Sequence, residues 1–373
     1  MQLFTLWMFF LALLMAVILG GLFWITGRYL SFWGLAGRVK HSRMLRFGLT
    51  LLFEVICLKS RMAALAVLHL LAIFALTELA VFLIRRMRRN RGSRRRRLFA
   101  GKIYRSGVVP ILLTGLFLGY GYNNMQHIAK TEYTVSSDKL SGDYKIVLIT
   151  DTHYGTIQDP SVLKSAVEEI SGQKPDVVIL GGDIVEEGTS KEAMEEAFSV
   201  LGSIESRYGI YYVYGNHDRQ LYTRVRAYTE DELANAIEQS GIEILNDRVI
   251  PVNEEIVLAG REDVAKASGR KPLEELLGEA DRDQFLIVAD HQPVEAEENA
   301  KLGVDLELAG HTHAGQIFPV GVINELTGFN YGAYQVGDCT VIVSSGATGW
   351  GFPVRTQKHC EYVVISLEKE SDT

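Results

Sequence analysis

The ten residues YKIVLITDTH, Tyr144–His153, decide how the larger part of this chain folds. The first seven make an apolar, β-branched run of strand length broken by one charge, Lys145, and the run stops on the polar triplet Asp-Thr-His. The run reads as a strand of an α/β domain. Asp151 and His153 then sit just past the carboxyl end of that strand, where open α/β sheets gather their ligands.

Working outward, the same arrangement recurs. DVVIL (176–180) is followed by Gly182 and Asp183, IYYVY (210–214) by Asn216, His217 and Asp218, FLIVAD (285–290) by His291, and LELAG (306–310) by His311 and His313. Helical patterns lie between: Pro160 and Ser161 open one that ends near Gly172, and a second runs from about Ser190 to Arg207. Thr229 and Glu232 form a capping-box pattern ahead of a third, closed by Gly241. IEIL, EIVLAG, TVIVSS and EYVVISL read as further strands. Strands alternating with helices predict an α/β domain over 144–373, with 126–143 as a polar linker in front of it.

Taken singly, Asp-x-His and Gly-Asp are common, and a lone histidine after a strand is ordinarily a hydrogen-bonded one. His41, His69, His127 and His359 read that way. Five of the nine histidines nevertheless fall at strand ends beside Asp151, Asp183 and Asn216. Carboxylate, imidazole and amide groups placed there repeatedly are costly to bury without a cation. Nitrogen and oxygen donors without thiolate suit Mn, Fe, Zn or Ni better than Ca or Mg.

In order, these blocks are D-x-H, G-D, G-N-H-D, H and G-H-x-H, and over about Lys145–Leu367 the chain resembles the calcineurin-like metallophosphoesterase family. GHTHAGQ (310–316) and SSGATGWGFPVR (344–355) are similar to a membrane-associated branch related to bacterial UDP-diacylglucosamine pyrophosphatases. The resemblance implies a central β-sandwich flanked by helices in four layers. It also implies two divalent transition-metal ions, one held by Asp151, His153, Asp183 and His313, the other by Asp183, Asn216, His291 and His311. Asp183 would bridge them, since one carboxylate spans cations ~3.5–4 Å apart. The implied reaction is hydrolysis of a phosphomonoester, phosphodiester or pyrophosphate bond by metal-bound hydroxide, with His217 as general acid and Asp218 or Glu186 as its support. Phosphoprotein phosphatases of this superfamily follow Gly-Asp with an Asp-Arg pair; here Glu186 and Glu187 stand there, which argues against a phosphoprotein substrate.

The first 125 residues differ in kind. They hold 18 Lys and Arg against two acids, Glu54 and Glu78, while the remainder holds 20 against 43. So acidic a domain is a poor nucleic-acid partner. Leu3–Thr26 carries no charge and, at about 1.5 Å per helical residue, is long enough to cross the ~30 Å hydrocarbon core. It lacks the basic start and small-residue cleavage site of a signal peptide. Met62–Ile84 and Gly107–Tyr122 read as further spans, and Phe47–Leu58 as a fourth or an interfacial helix, so that 1–125 is a transmembrane anchor of three or four helices. Nine arginines between two spans, RRMRRNRGSRRRR at 85–97, mark a cytoplasmic loop and put the catalytic domain on the extracytoplasmic side of the cell membrane. The expected partners are therefore the lipid bilayer and a phosphorylated substrate, lipid-linked ones included. Two other readings are weighed: a non-catalytic, metal-containing domain that binds a phospholigand or partner at the cell surface, and a transporter, for which two intramembrane acids are few. Cys57, Cys339 and Cys360 show no C-x-x-C spacing, and the last two would pair only in an oxidising compartment.

Overall fold

The computed structural model describes residues 2–32, 42–87, 101–266, 269–278, 280–326 and 328–370. The chain divides into two compact units, Met1–Tyr120 and Gly121–Thr373.

The second unit is built on two six-stranded sheets. One has the order β1-β12-β2-β3-β4-β5, formed by β1 (Ile128–Ser137), β2 (Tyr144–Ile149), β3 (Val177–Leu180), β4 (Ile210–Tyr212), β5 (Ile242–Ile244) and β12 (Cys360–Lys369). The other, β10-β11-β9-β8-β7-β6, is formed by β6 (Arg248–Pro251), β7 (Ile256–Gly260), β8 (Phe285–Ala289), β9 (Leu306–Ala309), β10 (Gly332–Val336) and β11 (Cys339–Val343). Strands β2 to β5 are mutually parallel, as are β7, β8, β9 and β11. Antiparallel pairs join β12 to β2, β6 to β7 and β10 to β11.

Side-chain alternation along each strand explains the layers. Ile146 and Leu148 of β2 and Val177 and Ile179 of β3 meet Leu258, Ile287, Leu308 and Ile342 of the other sheet. The intervening Val147, Ile149, Val178 and Leu180 pack instead on helices Pro160–Gly172, Lys191–Gly202 and Glu230–Gln239 through Leu163, Ile170, Phe198, Leu201 and Leu233. Val257, Ala259, Leu286 and Val288 form the outer face of the second sheet with Leu273, Leu277 and Ala296. The result is four layers, helix-sheet-sheet-helix. The continuous apolar runs follow from burial on both faces, each such side chain contributing about 1.5–3 kcal/mol relative to exposure.

Helix Pro160–Gly172 has the predicted bounds, with Asp159 as its N-cap. At Thr229 both halves of the capping box form: its hydroxyl accepts from the Glu232 N–H at 3.1 Å, and the Glu232 carboxylate accepts from the Thr229 N–H at 2.8 Å. The second helix stops at Gly202 rather than near Arg207. The stretch expected to be a linker contains β1, which pairs in parallel with β12 along ten residues. An edge strand buries only alternate side chains, here Tyr133 and Val135, so its composition stays polar. Strands β6 and β10 also lie outside the sequence expectation. All three cysteines are buried and unpaired.

The first unit holds helices Gln2–Phe32, Ser42–Lys59 and Arg61–Met87, and the start of Val108–Met125. They correspond to the four apolar stretches read from the sequence. Among the described residues, Arg61–Met87 is the helix whose length and composition suffice to cross a membrane. Glu78 is paired with Arg28 and takes the Tyr104 hydroxyl. Most of the arginine block (88–97), with Arg38 and Lys40, lies outside the described residues.

Candidate metal centre and active site

Five parallel strands, three from one sheet and two from the other, end at the same place. The loops after β2, β3 and β4 carry Asp151, His153, Asp183, Asn216 and His217, and those after β8 and β9 carry His291, His311 and His313. These loops are tight. Asp151, His153, Asp183, His311 and His313 all adopt positive φ, between 39° and 69°, a left-handed conformation that costs a side-chain-bearing residue energy and persists where its surroundings impose it. Glycine clears the space: a Cβ on Gly215 would lie 2.2 Å from the Asp183 Oδ1, and one on Gly310 2.4 Å from the Asp151 Oδ2.

Two groups of donors result, Asp151 with His153 and His313, and Asp183 with His291 and His311, each with its ligand atoms within 4.8 Å of one another. His313 Nε2 is 3.5 Å from Asp151 Oδ1, and His291 Nε2 is 3.1 Å from Asp183 Oδ2. That same Oδ2 lies 4.0 Å from His153 Nε2, so Asp183 faces both groups. His291 Nδ1 is 2.8 Å from the Gly181 carbonyl, and His313 Nδ1 is 3.2 Å from that of Thr348. A proton donated to each carbonyl leaves the Nε2 lone pair aimed into the site, the arrangement that orients a ligating imidazole.

The residues fit a metal. Asp151 Oδ1, both ring nitrogens of His153 and Asn216 Oδ1 are buried without a hydrogen-bond partner. Each such orphan costs about 1–3 kcal/mol unless something else coordinates it, and here the orphans are donors of one site. Burial pushes His153 down to about 3 and His311 down to about 4, which keeps both imidazoles neutral and able to ligate. Burial opposes charge on Asp183 too, but the neighbouring histidines, His291 first, together outweigh it and hold the carboxyl low; against its burial, Asp183 in turn raises His291, a pairing that a cation between them would replace.

His217 is held differently. Its backbone N–H donates to Asp183 Oδ1 at 2.8 Å, and its Nδ1 lies 2.6 Å from Glu187 Oε2. Burial lowers the His217 pKa, but the Glu187 hydrogen bond and the Asp183 charge outweigh it and raise it overall. The supporting carboxylate is thus neither Asp218 nor Glu186. Asp218 is buried and accepts the backbone N–H groups of Asp183, Val185 and Gly215 at 2.8, 3.1 and 2.6 Å, so it ties the second and third loops together. Glu186 turns to His153, 3.5 Å from its Nδ1. Adjacent glutamates on one loop carry no periodicity that tells them apart, which is why Glu187 was not legible.

Three other contributors carry weak or no motif signal. Trp350 and Tyr222 flank the His217 ring, with centroids 5.4 and 5.2 Å away, and both are exposed. Arg355 is buried and donates to the carbonyls of His313, Ser345 and Thr348 at 2.9, 2.8 and 2.7 Å, fixing the loop that carries His313.

A family model for calcineurin-like phosphoesterases matches residues 144–315, which include every candidate ligand. An uncharacterized metallophosphoesterase of Helicobacter pylori is 31% identical over 263 residues, 69% of this chain and 68% of that one. The chain belongs to the calcineurin-like phosphoesterases. Members of this family use divalent metals, and this calcineurin-like phosphoesterase is a hydrolase of phosphoester bonds. A protein of Danio rerio named as a transmembrane protein with a metallophosphoesterase domain is 29% identical, covering 71% of this chain and 63% of that one. An uncharacterized metallophosphoesterase of Bacillus subtilis is 28% identical, covering 67% and 90%.

Proposed function

We propose that the chain is a membrane-anchored, dinuclear phosphoesterase whose site opens on the extracytoplasmic side and acts on a phosphate or pyrophosphate carried by a lipid or other surface-bound molecule. The observation that carries the dinuclear reading is the position of Asp183 Oδ2, 3.1 Å from His291 and 4.0 Å from His153, between two donor groups that otherwise share no residue. Asp151, His153, Asp183 and His313 would hold one cation, and Asp183, Asn216, His291 and His311 the other. Bound there, such ions neutralise phosphate oxygens and acidify water to a nucleophile near neutral pH.

The remaining work falls to the chain's own side chains. His217 gives its Nε2 proton to the departing oxygen, and Glu187, accepting the Nδ1 proton, favours the imidazolium that can do so. The backbone bond from His217 to Asp183 locks the proton donor to the metal-binding loop, so their separation is preset. Trp350 and Tyr222 offer flat apolar surface to whatever the phosphate is attached to. For the anchor, the reading is supported by the apolar helices of 1–125, whose outward residues include Leu76, Leu79 and Phe82, and by the transmembrane designation of the Danio rerio relative.

Full-length protein in detergent, assayed on monoesters, diesters and lipid pyrophosphates before and after chelation, tests this. Turnover of at least one class, lost on chelation and regained with metal, is the expected result. Tight phospholigand binding without turnover in metal-loaded protein would instead establish a non-catalytic binding domain.

A further inference from the structure

We propose that the segment Phe318–Leu326, which follows the G-H-T-H block, lies against the bilayer surface and seats the mouth of the site at headgroup level. The proposal rests on the membrane-anchored reading above. Eleven large apolar residues are exposed among the described residues of the second unit, and five of them fall in this nine-residue segment: Phe318, Val320, Val322, Ile323 and Leu326. Leu326 is 84% exposed and Ile323 57%. Scattered single apolar residues need no explanation, but a run of this density on a surface marks a contact.

The fold says which contact. The apolar helix Val108–Met125 enters the second unit at its carboxyl end, where the Gly121 carbonyl accepts from the Arg355 N–H at 2.9 Å and Asn124 donates to the carbonyls of Arg355 and Lys358 at 3.0 and 2.6 Å. The exposed segment is fastened to the same strip of chain: the Phe318 N–H donates to Thr356 Oγ1 at 3.0 Å and the Gly321 N–H to Gln357 Oε1 at 3.1 Å. Gly121 and Asn124, the second-unit end of the apolar helix, and the exposed segment thus share the anchor strip Arg355–Lys358. Gln316 continues the connection to the site, donating to the carbonyls of Phe352 and Val354 and accepting the Trp350 N–H at 2.9 Å, with Trp350 against His217. Within the second unit, then, the end of the apolar helix, the segment Phe318–Leu326 and Trp350 are all tied to the chain around Phe352–Lys358. Apolar side chains on a short amphipathic element bury ~5–10 Å into the headgroup boundary.

Single cysteines carrying a bimane fluorophore at Leu326, Ile323, Leu76 and Glu238 of the full chain, in phosphatidylethanolamine/phosphatidylglycerol nanodiscs, provide the test. The three native cysteines are buried, and the unsubstituted protein gives the background. Leu76 lies on helix Arg61–Met87, and Glu238 is exposed on helix Glu230–Gln239. Lipids bearing a nitroxide near the headgroup should remove on the order of half the emission at positions 326 and 323, matching burial at that depth, lipids bearing it deep on the acyl chain should quench position 76, and iodide should quench only position 238. Lipid quenching at 76 with iodide quenching at 326 and 323 would overturn the proposal and leave the anchor standing. Shielding of 326 and 323 from both quenchers would also overturn it, because the face would then be covered by protein such as a second copy. No lipid quenching at 76 would remove the membrane reading and this proposal with it.

Discussion

His217 and Asp183 are joined by one backbone hydrogen bond yet assigned to different jobs, and substitution separates them. Replacing His217 with Asn leaves every ligand in place, so its effect should follow the leaving group. An alkoxide needs a proton to depart and a nitrophenolate does not. General acid catalysis is worth about 10² to 10⁴ in rate, so His217→Asn should lower kcat/KM on alkyl esters by that order and on nitrophenyl esters clearly less. Equal losses on both would mean that His217 positions the phosphoryl group instead. Glu187→Gln should give the same asymmetry at smaller amplitude with metal content unchanged, and a uniform loss on both esters would reduce Glu187 to a structural role. A residue away from the site reports on pH. Burial raises Glu307 from its ordinary 4.5 to about 7. Below pH 4.5 the folded and unfolded chains both hold this proton. From 4.5 to about 7 the unfolded chain releases it while the folded chain keeps it, so stability falls as pH rises. Glu307→Gln should remove that fall, and calorimetry of metal-loaded protein should show its Tm gaining on wild type between pH 5 and 7. Parallel curves would contradict the assignment.

At the scale of elements, the loops after the strands are closed so tightly that single atoms matter. Gly215→Ala would drive a Cβ to 2.2 Å from Asp183 Oδ1 and 2.4 Å from its N–H nitrogen, both held in place. Overpacking of this kind costs about 1–3 kcal/mol, and here it also displaces a ligand. Both Tm and bound metal should drop, and an unchanged metal content would show that the loop has slack. Thr229→Ala, which removes one half of a capping box, should cost about 1 kcal/mol without touching metal content. The elements that were legible before the structure are those buried on both faces. Strands β2, β3, β8 and β9 advertise themselves by unbroken apolar runs, and their polar ends name the ligands. Strand β1 did not, because Lys130, Thr131, Glu132 and Thr134 belong to an edge that buries only alternate positions. Glu187 was missed for another reason: only the three-dimensional turn after Asp183 decides which of two neighbouring glutamates meets His217.

For the whole molecule, the two units obey opposite rules of composition, and a fusion experiment reads the consequence. On the proposed topology, in which the arginine-rich loop stays in the cytoplasm and the next helix runs outward, alkaline phosphatase, active only when exported, should be active when fused after Thr373. Activity of a cytoplasm-restricted reporter at that position would reverse the topology. In the proposed centre, donors from two sheets converge on two ions shared through Asp183. Elemental analysis of the full-length protein and of Asp183→Asn, each paired with its turnover number, tests for that shared centre. Close to two transition-metal ions per wild-type chain are expected, with metal content and turnover falling together in Asp183→Asn. Full turnover at one ion or none per chain, or an Asp183→Asn protein that keeps both ions and its rate, would contradict it.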